Sequence, residues 1–188
     1  MKRSAVSLAH PNIALSKYWG KREGGGNVPA VPSLSVTLAG LATTTRVTFD
    51  DALAADTLLL NGVPAADAAV GRATELLDRV REASGLRARA SVVSTNDFPT
   101  ASGLASSASG FAALALAAVR AADLDWPAER VADLARRSSA SAARSIFGGF
   151  VALEGEVARP VAGPDQIPLK VLVCVTTEAA KAVSSRDG

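Results

Sequence analysis

Residues 96–111, reading N-D-F-P-T-A-S-G-L-A-S-S-A-S-G-F, constrain what this chain can fold into more than any other stretch. They form a run of small and hydroxyl residues that opens into an alanine- and leucine-rich helix, predicted over 111–124. Pro99 and Gly103 interrupt regular structure ahead of it, and Gly103 lets a ligand approach the backbone closely. The first turn of a helix carries four backbone N–H groups without intrahelical partners, and the helix dipole adds partial positive charge there. With so little side-chain bulk those groups can face an anion, and Ser102, Ser106, Ser107 and Ser109 add hydroxyls. The stretch reads as a phosphate cradle. It is not a Walker A loop, because no Gly-Lys-Ser/Thr follows the glycines. Taken alone, a serine-glycine run more often marks a helix start packed closely on a sheet, and that reading stands beside the first.

The flanking patterns supply the sheet. Residues 5–9, 33–38 and 43–49 alternate with period two, and the last two runs are expected to pair with each other. Residues 56–60 read as a strand ending in the tight turn Asn61-Gly62. Val70, Ala73, Leu76, Leu77 and Val80 recur at helical spacing over 69–83, and the helix stops near Gly85. A strand over 87–94 then delivers the chain to the cradle. A further helix runs from Trp126-Pro127 to about Arg137, and strands follow at 149–153 and 169–175. Gly24, Gly25 and Gly26 are expected to form a flexible break. Strands first and helices later imply an α+β fold, with helices on one face of a mixed or antiparallel sheet.

Charge and cysteine content exclude several function classes. A net charge of +2, with its 20 basic residues scattered along the chain, gives no footprint for nucleic acid or a membrane surface. No stretch reaches the roughly 18 apolar residues of a spanning helix. His10 is the only histidine, which gives a histidine metal cluster or a Ser-His triad within the chain little support. Cys174 is the only cysteine and sits in an apolar run, so a buried core thiol is expected there, with no intrachain disulfide. The expected compartment is the cytoplasm.

Three strings carry more specific information. Residues 11–22 read P-N-I-A-L-S-K-Y-W-G-K-R, placing three cations, a phenol and an indole within six positions. Alone, this is a solvated basic turn with one buried aromatic. Residues 98–111 hold F-P-T-A-S-G-L-A-S-S-A-S-G-F, and residues 139–149 hold S-A-S-A-A-R-S-I-F-G-G. In this order and spacing the three strings resemble the diphosphomevalonate decarboxylase family of the GHMP kinase superfamily. L-N-G at 60–62 and the closing S-S-R-D-G are similar as well.

The resemblance implies the fold of the GHMP N-terminal domain (ribosomal protein S5 domain 2-like). It also implies ATP with Mg²⁺ as cofactors and diphosphomevalonate as the small-molecule substrate. Tyr18, Trp19, Gly20 and Lys21 would hold the substrate diphosphate, helped by Ser139 and Ser141 within the segment Ser139, Ala140, Ser141, Ala142, Ala143, Arg144. Arg144 would be catalytic, gripping the substrate carboxylate with a bidentate fork that lysine lacks. Arg72 matches a further substrate-contacting arginine of the family, while a plain surface helix arginine explains it equally well. Ser94 and Asn96, with Ser102, Gly103, Leu104, Ala105, Ser106 and Ser107, would contact ATP.

In the implied reaction the γ-phosphoryl of ATP passes to the tertiary hydroxyl, and that phosphate then leaves as the carboxylate departs as CO₂, giving isopentenyl diphosphate. Such chemistry asks the protein chiefly for alignment and positive charge. Residues 1–168 would form the ATP- and substrate-binding domain, and 169–188 the start of a GHMP C-terminal domain. The family's catalytic aspartate lies beyond Gly188, so the 188 residues alone are expected to bind without turnover. The full-length family implies a homodimer. Two alternatives remain at this stage. One is a related mevalonate or phosphomevalonate kinase, or a phosphomevalonate decarboxylase. The other is a non-catalytic nucleotide-binding domain.

Overall fold

The computed structural model describes residues 2–17, 20–99 and 104–174. Along these residues run β1 (Lys2–Ala9), β2 (Asn12–Ser16), β3 (Ser33–Thr37), β4 (Thr43–Asp50), β5 (Thr57–Leu60) and β6 (Val63–Pro64). Then come α1 (Asp67–Ser84), β7 (Arg89–Asn96), α2 (Ser106–Ala121), α3 (Ala128–Ser138), a 3₁₀ segment (Ala140–Ile146), β8 (Phe150–Glu154) and β9 (Val157–Ala162). The strands make two sheets, one of five strands in the order β1-β4-β7-β5-β6 and one of four in the order β2-β3-β8-β9. Among the described strands only β5 and β7 pair in parallel, and the other pairs are antiparallel.

Alternation explains the larger sheet. In β4, Thr43, Thr45, Val47 and Phe49 point inward while their neighbours point out, so one face of the sheet meets the helices. Val47, Phe49 and Val92 pack there with Leu76, Leu77 and Val80 of α1 and with Ala115 and Ala118 of α2. Each such large side chain contributes roughly 1.5–3 kcal/mol when fully buried. Helix α2 is buried nearly all round, through Ala108, Ala112, Ala113, Leu114, Ala117 and others. A helix apolar on every side belongs at the centre of a fold. It packs on β1 and β4, while its other flank meets the 3₁₀ segment and α3. The smaller sheet closes that second side, with Val151, Leu153 and Ala158 packing against Ala132, Ala140 and Ala143.

An ion cluster around the buried Arg81–Asp56 pair locks the far end of this assembly. Arg81 donates to both oxygens of Asp56 (3.1 and 2.8 Å) and to Asp78 (3.0 and 2.5 Å). Asp56 also accepts the Ala90 N–H at 2.7 Å, which fastens the start of β7. Burial pulls the Arg81 pKa down, but the hydrogen bonds and charges of Asp56 and Asp78 outweigh it, and the net shift is upward.

Several expectations are corrected. β3 and β4 do not pair with each other; they lie in different sheets, and the chain crosses between them over 38–42. The helices therefore sit between two sheets rather than on a single one. Helix α2 starts at Ser106, not Phe111, so three serines assigned to the cradle are helical. The expected strand over 169–175 is absent from its described part, 169–174. β-branched residues give that segment the propensity, but no described strand edge takes it as a ladder partner, and Leu172 is 87% exposed. Cys174 is exposed as well, so it is not a core thiol. The glycine triplet 24–26 forms the tip of a hairpin fastened to α3.

Candidate active site

The start of α2 is built by hydroxyls. Thr43 Oγ1 donates to Asn96 Oδ1 at 2.6 Å and lies 2.6 Å from Ser109 Oγ. Ser109 is fully buried, and its hydroxyl also reaches the Ser106 carbonyl at 3.3 Å. The Asn96 N–H donates to Asn61 Oδ1 (2.9 Å), and the Asn61 N–H donates to the Ser94 carbonyl (2.9 Å). The ends of β4, β7 and the β5–β6 turn are thereby tied to the first turn of α2. The helix itself begins after Ala105, a left-handed residue (φ 55°), with no side-chain cap. The Ala108 and Ser109 N–H groups turn back to the Ala105 carbonyl at 2.8 and 3.4 Å. Ser107 is exposed there and Ser106 half-buried.

The second centre is Arg144, on the 3₁₀ segment and only 2% exposed. Its Nε donates to Ser35 Oγ at 3.0 Å, its Nη1 to Ser33 Oγ, and its Nη2 to Asn12 Oδ1 at 3.3 Å. Asn12 turns its amide nitrogen to the Ser141 carbonyl (3.0 Å) and Ser145 Oγ (2.7 Å), stitching β2 to the 3₁₀ segment. A guanidinium bonded on several edges is fixed in plane, and such bonds strengthen in a low-dielectric surrounding. Sequence reasoning assigned Arg144 but missed the residues that hold it. The signal was present in S-L-S: period two puts Ser33 and Ser35 on one face of β3.

A third group gathers near the end of α3. Lys21 Nζ donates to Asn27 Oδ1 (2.7 Å), and Asn27 Nδ2 donates to the Arg137 carbonyl (2.7 Å). Two residues beyond that carbonyl stands Ser139, with its hydroxyl 3.2 Å from that of Ser141. Lys21 is thus tied through Asn27 to the last turn of α3, two residues ahead of Ser139.

Other expected residues fall as follows. Gly20 is exposed at the base of the same hairpin. Tyr18, Trp19, Ser102 and Gly103 lie outside the described residues. Leu104 and Ala105 are half-buried beside the cradle. Ala140, Ala142 and Ala143 put their side chains into the core, which leaves only their backbone for a ligand. The Ser94 hydroxyl is buried 2.9 Å from Thr45 Oγ1. Arg72 lies over the Phe111 ring at 5.1 Å, which brings α1 against the second turn of α2. Asp97 is bonded to the Ala42 backbone in both directions and closes a loop. Among the described residues no three of His, Cys, Asp or Glu gather as a metal site, and no helix is long and apolar enough to cross a membrane.

An uncapped helix start ringed by hydroxyls and an oriented buried arginine stand together in one two-sheet α+β domain. Residues 9–159 match the family model of the diphosphomevalonate decarboxylase-like N-terminal domain, and the chain belongs to that family. The diphosphomevalonate decarboxylase of Schizosaccharomyces pombe is 40% identical over 202 aligned positions, covering 94% of this chain and 51% of its own. The phosphomevalonate decarboxylase of Haloferax volcanii is 41% identical over 146, covering 78% of this chain and 45% of its own. Among solved structures, the mevalonate diphosphate decarboxylase from Enterococcus faecalis matches with a TM-score of 0.80 and 42% identity. That match covers 86% of this chain and 52% of the other. The chain spans about half the length of the curated relatives it matches.

Proposed function

We propose that this chain carries the ATP- and substrate-binding part of an enzyme that decarboxylates (R)-5-diphosphomevalonate to isopentenyl diphosphate, with ATP converted to ADP and phosphate. The observation that carries this reading is Arg144, a buried guanidinium oriented by Ser33, Ser35 and Asn12. A fixed planar fork suits a carboxylate that must be held in line with a leaving group and never protonated. The uncapped start of α2, with exposed Ser107, suits the nucleotide phosphates. When bound, ATP supplies the phosphoryl group that turns the tertiary hydroxyl into a leaving group. Magnesium fits as an ion carried on those phosphates, since the described residues offer no carboxylate cluster for it. Lys21, Ser139 and Ser141 donate to the substrate diphosphate, beside Tyr18 and the Trp19-Gly20 backbone. The division at 168/169, the homodimer and the cytoplasmic location belong to the same proposal.

The test is Arg144→Lys in the intact protein, where turnover should fall at least about a hundredfold while ATP affinity changes little. Near-normal turnover removes Arg144 from the reaction and the reading with it. A second reading, decarboxylation of the monophosphate, is favoured by the Haloferax volcanii relative. Phosphate release measured with mono- and diphosphate substrates side by side separates the two.

A further inference from the structure

We propose that Asn27 is a positioning residue that aims the Lys21 ammonium at the anionic end of the substrate; this rests on the reading of Lys21 as a diphosphate ligand. Lysine is a point charge on a stem with four rotatable bonds, so an unrestrained ammonium loses rotamer freedom whenever it grips a ligand. Here a hydrogen bond to Asn27 restrains the ammonium beforehand. Gly20 and Ala30 close the base of a hairpin (3.2 Å), and Arg22 and Val28 bond above it (2.9 Å). The tip turns through Gly24, Gly25, Gly26 and Asn27 with φ of 102°, 82°, 68° and 56°.

Two contacts seat that tip on α3. Arg136, fully buried and paired with Asp133, donates to the Gly26 carbonyl. The Asn27 amide spans Lys21 and the Arg137 carbonyl at 2.7 Å on each side. Its orientation is unambiguous, because an ammonium only donates and a carbonyl only accepts. The ammonium is therefore held one amide width from the end of α3, where Ser139 and Ser141 begin. That helix end carries partial negative charge, which disfavours an anion unless a cation stands beside it. Asn27 supplies that placement without adding charge of its own.

The test is steady-state kinetics of the intact protein with diphosphomevalonate and saturating ATP. Asn27→Gly removes the amide and suits the left-handed backbone. It should raise KM for diphosphomevalonate about tenfold with kcat within about twofold. Asn27→Asp keeps the shape but places a carboxylate against both Lys21 and the diphosphate, and should raise KM further. In a Lys21→Met background, which already has a raised KM, Asn27→Gly should add less than about twofold. The same factor in both backgrounds, or a loss of kcat with unchanged KM, would mean that Asn27 only staples the hairpin to α3 and would overturn the proposal. If Lys21→Met raises KM and Asn27→Gly does not, positioning alone fails. If Lys21→Met leaves KM unchanged, the diphosphate reading of Lys21 fails first.

Discussion

Gly149→Ala should be among the most damaging small substitutions in this chain, and its cost can be worked from the backbone. Gly149 has φ 73°, and a Cβ built on it would stand 2.5 Å from the Ala162 carbonyl oxygen, with Gly163 and Pro164 backbone atoms at 3.2 Å. Two terms add. An L-residue in the left-handed region loses roughly 1–2 kcal/mol. Forcing a methyl into a filled space costs roughly 1–3 kcal/mol more, because the neighbour must move. The neighbour here is strand backbone at the point where Phe150 pairs with Ala162, so no flexible side chain can yield instead. The Gly149 carbonyl also accepts the Thr37 N–H at 3.0 Å, which couples any shift to β3 and hence to Ser35 beneath Arg144. The total is about 2–5 kcal/mol, a large share of the roughly 5–15 kcal/mol by which domains are stable.

Gly155→Ala is the control. Gly155 has φ 57° with nothing within 4 Å of the built Cβ, so it carries the first term alone, about 1–2 kcal/mol. Urea unfolding of the two variants and the parent, followed by circular dichroism, yields the difference directly from the midpoints. Equal losses at the two sites would show that β9 relaxes freely and that the close approach at Gly149 stores nothing.

The same hydrogen bonds and packing set three further outcomes. Ser107→Ala, at an exposed position of the uncapped helix start, should weaken ATP binding about three- to tenfold in a titration while leaving the melting temperature unchanged; unchanged affinity returns Ser107 to a packing role. Asp56→Ala strands Arg81 in the core and leaves the Ala90 N–H without its partner, and should cost about 3–5 kcal/mol in denaturant unfolding, whereas a loss under 1 kcal/mol would show that Asp78 suffices. At Asp133, burial raises the carboxyl pKa but hydrogen bonds from Arg136 and Arg137 outweigh it, so the folded value lies below the ordinary 3.8. Its contribution is therefore present above about pH 4 and lost as pH falls through the folded value, and Asp133→Asn should flatten the acid limb of stability against pH.

How much of this was legible depended on whether the deciding contact was local. The β4 and β7 alternation, the α1 stripe and the Asn61-Gly62 turn are properties of a few successive residues, and each stands close to where the pattern puts it. The pairing of β3 with β4 was expected from their period-two, β-branched patterning. It fails because the inward residues of the two strands serve different partners. Ser33 and Ser35 hold Arg144, while Val47 and Phe49 face α1 and α2. The early start of α2 was hidden for a related reason. Serine competes with the helix backbone for hydrogen bonds, so a serine run reads as loop. Here Ser109 finds Thr43, 66 residues away in sequence, and the helix extends back to Ser106. β2 was missed because its burial does not alternate, and Asn12 is defined by what it bonds on the 3₁₀ segment.

The two centres are tuned by different means but share one piece of packing. The α2 start is shaped by hydroxyls within the larger sheet, and Arg144 by oxygens from the smaller one. Left to the sheets, the distance between them would follow every relative shift of two separate layers. The 3₁₀ segment removes that freedom by packing directly on α2. Ile146, two residues after Arg144, touches all three apolar clusters: the main core, the group under β8 and β9, and the small group of Ala9, Ala112 and Ala113. The proposed reaction would align a phosphoryl donor with a carboxylate to within a fraction of an ångström, and close-packed interiors deliver such placement where loops do not. The alanines at 140, 142 and 143, which carry no functional group, meet the same need by letting the segment lie close to its neighbours.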